Sequence, residues 1–231
     1  MIVKYLSFVV SKLKGYDYKI DERIPIGYLI RLVGSKIVSL LYGMLRLRTL
    51  KRVYVHPSSK IKCPSRLHFG NNFNIGQDCY VDALSEKGLL CGENVSMGFH
   101  THIELTGNFR FLGKGMKIGN NVGLGSHGHF GSGMGFVEIG DNTIFGNYVS
   151  IHPENHNYSD FSVPIREQGV NSKGGVYIGQ NCWIGAKVTI LDDTHVGNNC
   201  IIAAGAVVKG HFPDDVIIGG VPARILRRYK E

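Results

Sequence analysis

Residues 178–207 read IGQNCW-IGAKVT-ILDDTH-VGNNCI-IAAGAV, five consecutive groups of six residues, and Val208 begins a sixth. Each group opens on isoleucine or valine, and glycine or alanine follows in four of the five. An α-helix would scatter such residues around its axis, and a simple strand would alternate apolar with polar residues. A period of six instead predicts a short strand followed by a corner, with the aliphatic side chain inside.

The same period recurs upstream, in runs that begin at Val55, Phe69, Ile118 and Ile139. The chain has 31 glycines among 231 residues, well above the usual share of about 7%. They fall at spaced corners and form no Gly-x-y triplet run, which excludes collagen. Stacked coils of this kind bury one continuous apolar column, and each coil depends on its neighbours. The repeats therefore predict a solenoid over residues 51–228.

Charge is distributed unevenly along the chain. Residues 1–66 hold 14 Lys/Arg and 3 Asp/Glu, a net charge of +11, whereas the remaining 165 residues have a net charge of −3. A basic pI of about 9.2 would by itself suggest nucleic-acid binding. Because the body of the chain is slightly acidic, no nucleic-acid partner is expected. Hydrophobic residues at 43% and charged residues at 19% exclude a disordered tail and a membrane bundle.

The cysteines indicate a compartment rather than a metal site. There are five of them, and their spacing matches no zinc motif. An odd number of cysteines without a signal peptide predicts a reducing cytoplasm.

Residues 1–50 mix apolar and basic side chains and lack the six-residue period. The stretch 24–48 is long enough for a spanning helix, but Arg31 and Lys36 inside it argue against one. Two interpretations stay open, and both can hold. The segment can cap the open end of the solenoid, whose strand edges need cover, or it can lie as a basic amphipathic helix on an anionic membrane surface.

The six-residue period is absent between Ile151 and Ile178. The intervening 26 residues carry two histidines, several carboxylates and the run Pro-Ile-Arg-Glu-Gln-Gly. Loops of this length in a compact domain are usually functional or disordered. The density of titratable groups favours a loop that builds a site, and we predict it over residues 152–176.

Four segments, ENHNYSD (154–160), PIREQG (164–169), IGQNCWIGAKVTI (178–190) and GAVVKGHFPDDVIIGGVPARIL (205–226), carry a family resemblance. They resemble the acetyl-CoA-dependent O-acetyltransferases of the hexapeptide-repeat family. The nearest type acts in lipopolysaccharide, capsule and colanic-acid pathways and is related to galactoside and maltose acetyltransferases. The resemblance covers roughly residues 110–228.

The resemblance implies an all-β fold, a left-handed parallel β-helix of triangular eighteen-residue coils, behind an N-terminal α-helical segment. It implies a homotrimer with sites between subunits, acetyl-CoA as co-substrate and no metal. The acceptor would be a sugar hydroxyl of a bacterial surface polysaccharide or its precursor. Cys182 and Cys200, eighteen residues apart, would stack in adjacent coils, and two thiols are favoured over a disulfide in the cytoplasm.

The histidine in the family's Asn-His-x-x-x-Asp context falls on His156, which the resemblance makes the general base. A neutral imidazole suits this role, because the unperturbed pKa of histidine is about 6.5. The group that orients it stays open among Glu154, Asp160 and loop carbonyls. An acceptor-binding asparagine of galactoside-type relatives is missing from the segment SHGHFGSGMGF (126–136), so His127, His129 or neither takes its place. The predicted acceptor-binding residues are His127, His129, His152, Glu154, Asp160 and Arg166.

In this family CoA lies in a groove between coils of two subunits. Small residues there would let the pantetheine arm approach the backbone, and Lys209 and Arg224 would face the CoA phosphates. Trp183 is equally well explained by packing. The predicted cofactor-binding residues are Trp183, Ala186, Ala204, Gly205, Lys209 and Arg224.

Other functions compete with this one. A γ-carbonic-anhydrase-like metal hydratase has the same fold and uses three histidines, shared across a trimer interface, on zinc. The pairs His100/His102 and His127/His129 could supply them together with His152 or His156. An acetyl-CoA-dependent transferase for serine, an antibiotic or an amino sugar is a second alternative, and a non-catalytic scaffold a third. The expected location is cytoplasmic, with peripheral contact at the inner face of the membrane.

Overall fold

The computed structural model describes residues 2–14 and 17–229. Two α-helices, Ile2–Lys14 and Ile26–Leu47, precede a left-handed parallel β-helix, as predicted. Its short strands stack in three flat faces, because each strand is followed by a corner that turns the chain onto the next face.

The first face consists, in axial order, of Val53–Val55, Phe73–Ile75, Ser96–Met97, Gly123–Leu124, Ile144–Phe145, Trp183–Ile184, Ile201–Ile202 and Val216–Gly220. The second face consists of Lys60–Lys62, Tyr80–Asp82, His102–Glu104, His129–Gly131, Ser150–His152 and the first parts of Thr189–Val196 and Val207–Phe212. The third face consists of Leu67–Phe69, Leu89–Cys91, Met116–Ile118, Val137–Ile139, Val176–Ile178 and the remainder of those two long strands. Antiparallel additions are Gly107–Asn108 with Phe111–Leu112, Asn155–His156 with Val170–Asn171, and Ala223–Arg228 on the last strand of the first face. Two short 3-10 helices are Pro64–Arg66 and Ile165–Glu167.

The aliphatic residue that opens each six-residue group points into the prism. The first residues of the six groups that begin between 178 and 208, called the openers below, have no exposed surface. They are Ile178, Ile184, Ile190, Val196, Ile202 and Val208. Burial of a side chain of this size stabilises a fold by roughly 1.5–3 kcal/mol. The period is weaker near the N-terminus, where Phe69 is only partly buried and packs against the core from its margin.

The coils differ in length from the predicted eighteen residues, and the difference lies at one corner. Val207 pairs with Thr189, eighteen residues earlier, but Thr189 pairs with Ser150, thirty-nine residues earlier. The added residues lie between the second and third faces, at what we call the variable corner. Its two longest excursions are residues 105–115 and 153–175.

The first of these excursions was not predicted, and the second is slightly shorter than the predicted loop. His152 belongs to a strand of the second face, and Val176 begins a strand of the third. The excursion 105–115 holds a small hairpin and contacts the longer one, since a Cβ on Gly169 would lie 3.6 Å from Cε2 of Phe111. The site region is therefore built by two excursions rather than one.

The helix Ile26–Leu47 crosses the N-terminal end of the prism and caps it. Gly43 lies so close to the first strand that a Cβ would come within 2.5 Å of the Val53 carbonyl oxygen. The Arg46 guanidinium donates to the Ile61 carbonyl at 3.2 Å, and Lys36 Nζ donates to Asn74 Oδ1 at 2.6 Å. These contacts support the cap interpretation.

The same helix keeps most of its apolar surface exposed. By length and composition alone it could cross a membrane, with a mean hydropathy of 1.4 over its most apolar window, so Arg31 and Lys36 do not exclude a span on those criteria. Only 17% of that window is buried. The cap therefore uses one side of the helix, and the other side stays largely exposed among the described residues.

Cys182 and Cys200 stack in adjacent coils as predicted, because their neighbours Trp183 and Ile201 pair in the first face. Both are buried free thiols. Each thiol donates at 3.3 Å to a backbone carbonyl at a corner, that of Gly197 or Pro213 respectively.

Candidate active site

The predicted base, His156, lies on the first strand of the excursion 153–175, opposite Val170 in an antiparallel pair. Its side chain is exposed. Neither predicted orienting carboxylate bonds to it. Glu154 Oε2 accepts from the Met134 backbone N–H at 3.0 Å, and Asp160 Oδ1 accepts from the backbone N–H and hydroxyl of Ser162.

A carboxylate that the sequence did not reveal holds this excursion to the prism. Asp192 is 1% exposed, and its Oδ2 accepts from Asn155 Nδ2 and the Lys173 N–H, both at 2.7 Å. Its Oδ1 accepts from the Ser172 hydroxyl at 2.6 Å and the Gly175 N–H at 2.9 Å. Both ends of the excursion are thus fastened to one buried side chain. The attachment at the first end is made by Asn155, the residue directly before His156.

Burial alone would raise the pKa of Asp192, but the hydrogen bonds from Ser172, Lys173 and Gly175 outweigh it and lower that pKa below its usual value. The carboxylate is therefore ionised at neutral pH. The signal in the sequence was the group ILDDTH (190–195), which has two aspartates and no glycine in second position, unlike its neighbours.

The rest of the excursion is bonded internally. Asn157 donates through its backbone N–H to the Gly169 carbonyl at 3.0 Å and through Nδ2 to the Gln168 carbonyl at 3.0 Å. Gln168 Nε2 in turn donates to the Asp160 carbonyl at 2.7 Å. Arg166, predicted to bind the acceptor, lies on the exposed 3-10 helix at the outer end.

Three predicted acceptor-binding residues, His129, His152 and Glu154, line one cavity of about 240 Å³ at the variable corner. The ring centroids of His129 and His152 are 5.7 Å apart. Glu104, which the sequence did not single out, lines the same cavity. Burial, and then the neighbouring His152, lower the pKa of His129, with Glu104 opposing, so this ring is neutral at pH 7.

His127 lies elsewhere, at the corner between the first and second faces. Its ring stacks between those of His100, with centroids 5.3 Å apart, and Tyr148, with centroids 4.8 Å apart. It does not line the cavity. Together with the internal role of Asp160 and the outer position of Arg166, this divides the six predicted acceptor-binding residues among several places.

The predicted cofactor-binding residues are also divided. Ala186, Ala204 and Gly205 share the corner of His127, where the Gly205 N–H donates to the Ala186 carbonyl at 2.9 Å. A Cβ on Gly205 would have no atom within 4 Å, so this corner is open to a ligand. That openness fits the pantetheine arm of acetyl-CoA.

The other three lie apart from that corner. Trp183 is 54% exposed on the first face, in a 340 Å³ groove that Tyr229 also lines. Lys209 lies on the long strand that passes the variable corner, and Arg224 lies on the last strand, where its Nη1 donates to the Ala223 carbonyl at 2.8 Å. In a single chain, the predicted base and the open cofactor corner therefore lie at opposite edges of the second face.

The hydratase alternative would share its zinc histidines between subunits, and the described residues of one chain form no metal site by themselves. Across residues 2–14 and 17–229, no three His, Cys, Asp or Glu side chains are placed to hold a metal ion together. His127 and His129 lie at a corner and on a face, respectively, and the rings of His100 and His127 are stacked.

Known proteins carry the same repeat. The family described as bacterial transferase hexapeptide (six repeats) matches residues 175–210. The likeness to that family is thus shown for the stretch 175–210 of this chain. Residues 175–210 include the group ILDDTH, so the buried Asp192 lies inside the part of the chain that carries the family's repeat.

Curated relatives are named acetyltransferases. A probable acetyltransferase of Mycobacterium tuberculosis is 40% identical over 73 residues, 32% of this chain and 24% of that protein. The putative lipopolysaccharide biosynthesis O-acetyl transferase WbbJ of Escherichia coli is 35% identical over 83 residues, 32% of this chain and 42% of that protein. The galactoside O-acetyltransferase of Lactococcus lactis is 34% identical over 70 residues, 30% of this chain and 34% of that protein. The chain thus spans less than half the length of each of these relatives.

Proposed function

We propose that this protein transfers the acetyl group of acetyl-CoA to a sugar hydroxyl of a bacterial surface polysaccharide or its precursor. The observation that carries the proposal is the position of His156, exposed on an excursion that Asp192 fastens beside a polar cavity. The names of the relatives, which include a lipopolysaccharide O-acetyl transferase and a galactoside O-acetyltransferase, support the choice of reaction and acceptor.

In the proposed reaction the imidazole of His156 accepts the proton of the acceptor hydroxyl while that oxygen attacks the thioester carbonyl. The carbon–sulfur bond breaks, and the same imidazole returns the proton to the departing sulfur, so protons and electrons balance. A positioned base of this kind typically contributes 10²–10⁴-fold. Ala186 and Gly205 would bind the pantetheine arm at their open corner, with Lys209 and Arg224 as candidates for the CoA phosphates.

We further propose that the active unit is a homotrimer. His156 and the open corner at Gly205 lie at opposite edges of the second face, whose strands alone span on the order of 10 Å. A neighbouring copy that places its variable corner against this chain's cofactor corner would complete the site, and a three-sided prism offers flat faces for such packing.

The test is release of CoA thiol from acetyl-CoA in the presence of simple glycosides and bacterial polysaccharides. Release that depends on the acceptor, with mass spectrometry showing an acetyl ester on the sugar, is the expected result. Light scattering on the same sample should give about three times 25.5 kDa. An acetylated amine instead of an ester would favour the amino-sugar alternative, and release without any acceptor would contradict acetyl transfer to a sugar.

We also propose that the protein works in the cytoplasm with its N-terminal helices in contact with the anionic inner face of the membrane. Tyr5, Phe8, Leu41 and Leu45 present exposed apolar surface, and Leu45 is 79% exposed. The basic residues of this segment would add about 1 kcal/mol each near anionic lipid. Apolar burial and charge attraction together are what hold interfacial helices on a bilayer.

The protein should co-sediment with anionic vesicles at low ionic strength and less with neutral ones, because salt and neutral headgroups remove the charge attraction. Leu45→Glu should reduce this binding severalfold. Leu226→Glu, an exposed leucine at the opposite end of the prism, serves as the control and should bind as the unmodified chain does. Equal binding to both kinds of vesicle, or none to either, would contradict the proposal.

A further inference from the structure

We propose that the cavity lined by Glu104, His129, His152 and Glu154, called the acceptor cavity below, selects a sugar ring that is neutral or carries an amine and rejects one that carries a carboxylate. The inference rests on the proposed acetyl transfer for its biological meaning, and it names the class of acceptor. Its evidence is the set of residues that line this cavity, which come from three successive coils.

The cavity is a formed feature of the variable corner. Glu104 comes from one coil, His129 and the glycines at 131 and 133 from the next, and His152 and Glu154 from the third. Its volume of about 240 Å³ is of the size of one sugar ring rather than of a longer saccharide. His152, Pro153 and Glu154 line the cavity and lead directly into the strand that carries His156. Glu154 precedes the proposed base by two positions in the sequence.

Backbone packing keeps one of the two carboxylates in place. A Cβ on Gly133 would lie 2.1 Å from Glu154 Oε2, so the absence of a side chain at 133 lets the carboxylate approach. The Met134 N–H then donates to that same oxygen at 3.0 Å. Glu154 is thereby held at the rim of the cavity with its second oxygen available to a ligand.

Among the described residues, the cavity is lined by negatively charged side chains without a lysine or arginine to balance them. Two carboxylates line it, and none of the lining residues in the described part of the chain is a lysine or arginine. His129 is neutral at pH 7, because burial and the adjacent His152 lower its pKa, so it does not offset the carboxylates. Sugar hydroxyls and ammonium groups donate well to carboxylates, whereas a uronic acid would bring a third negative charge into the same space.

Like-charge juxtaposition at a binding site usually costs several kcal/mol. We therefore expect a galactoside to bind at least about 30-fold more tightly than the matching galacturonide. The matched pair differs only at C6, so their comparison isolates the charge. A 2-amino sugar of the same ring should bind at least as well as the neutral one.

The experiment measures binding of methyl galactoside, methyl galacturonide and the 2-amino glycoside by saturation-transfer NMR, with acetyl transfer assayed in parallel. Glu154→Gln retains an amide oxygen for the Met134 N–H but loses the negative charge of that side chain. Glu104→Gln removes the negative charge of the second carboxylate. Each is expected to narrow the preference for galactoside over galacturonide by about fivefold or more. Glu138→Gln, an outward carboxylate on the third face paired with Lys117, is the matched control and should leave the preference unchanged.

Equal binding of galactoside and galacturonide by the unmodified chain would overturn the inference. So would a preference that both cavity variants retain in full, since another surface would then impose it. Selective binding without acetyl transfer to any acceptor would support the charge selectivity and contradict the proposed function, so the two failures can be told apart.

Discussion

The variant His156→Ala is expected to lose 10²–10⁴-fold in kcat for acceptor-dependent acetyl transfer. The loss follows because no other group would take the hydroxyl proton from the position of this exposed imidazole on the excursion. Its removal should leave the fold intact, with a change in unfolding free energy within about 0.5 kcal/mol, as for other exposed side chains. Thiol release at saturating acceptor, together with urea unfolding of the same sample, checks both parts.

His68→Ala is the matched control, because His68 is also exposed but lies on the third face, away from the variable corner. It should retain full activity. Full activity in His156→Ala would refute the assignment of the base, and His152, whose ring lies in the acceptor cavity, would become the residue to replace. Loss of activity in both variants would show that the assay reports folding or assembly rather than proton transfer.

Replacement of Asp192 is expected to damage both stability and activity. In Asp192→Asn, the amide N–H₂ takes the place of one carboxylate oxygen. It would face either the donors of Asn155 and Lys173 or those of Ser172 and Gly175, which now bond to that oxygen. A buried donor left without a partner costs about 1–3 kcal/mol, and two such donors would be left, so we expect a loss of about 3 kcal/mol in unfolding free energy. Activity should fall at least about 10²-fold, because a misplaced base loses its alignment.

The pH dependence of stability distinguishes this role from simple packing. The pKa of Asp192 is lowered in the folded chain, so its contribution is fully present above the unfolded-state pKa of about 4 and is lost as the pH falls toward the folded-state value. Asp192→Asn should flatten that part of the stability curve measured by urea unfolding between pH 7 and pH 3.

Asp193→Asn provides the control one residue further on. The Asp193 carboxylate is partly exposed, lies 3.7 Å from His211 Nε2 and is bonded to no part of the excursion that carries His156 in the described structure. Its replacement should cost less than about 1 kcal/mol, in line with other exposed ion pairs. Equal losses in the two variants would contradict a specific tether at Asp192.

Much of the fold could be predicted from the sequence, because the repeat reports burial directly. The six openers from Ile178 to Val208 point inward without exception, since a residue that recurs every sixth position meets the same environment in every coil. The loop around His156 could be predicted too, because residues that interrupt the six-residue period between two strands of the solenoid cannot belong to a regular coil and must leave it. Residues 105–115 interrupt the period in the same way, but their shorter length hid the break.

The grouping of the site residues could not be predicted in the same way. Glu104 and Glu154 are 50 residues apart in the chain yet line one cavity, because excursions in different coils meet at the same corner. Asp192 was missed because its partners, Asn155 and Ser172, are close to it only after two coils have stacked. His127 and His129 were both predicted acceptor-binding residues, but His127 lies at the corner between the first and second faces, and only His129 lines the cavity.

The sequence by itself determined the coil, its inward column and the chemistry available at the break, because each of these depends on residues that are neighbours along the chain or repeat at a constant spacing. The tertiary structure alone decided which corner gathers the added residues, which carboxylate holds the excursion and which side chains share the acceptor cavity. Those features depend on the stacking of coils of unequal length, and the spacing along the chain no longer gives the distance in space once 39 residues separate one stacked pair and 18 the next.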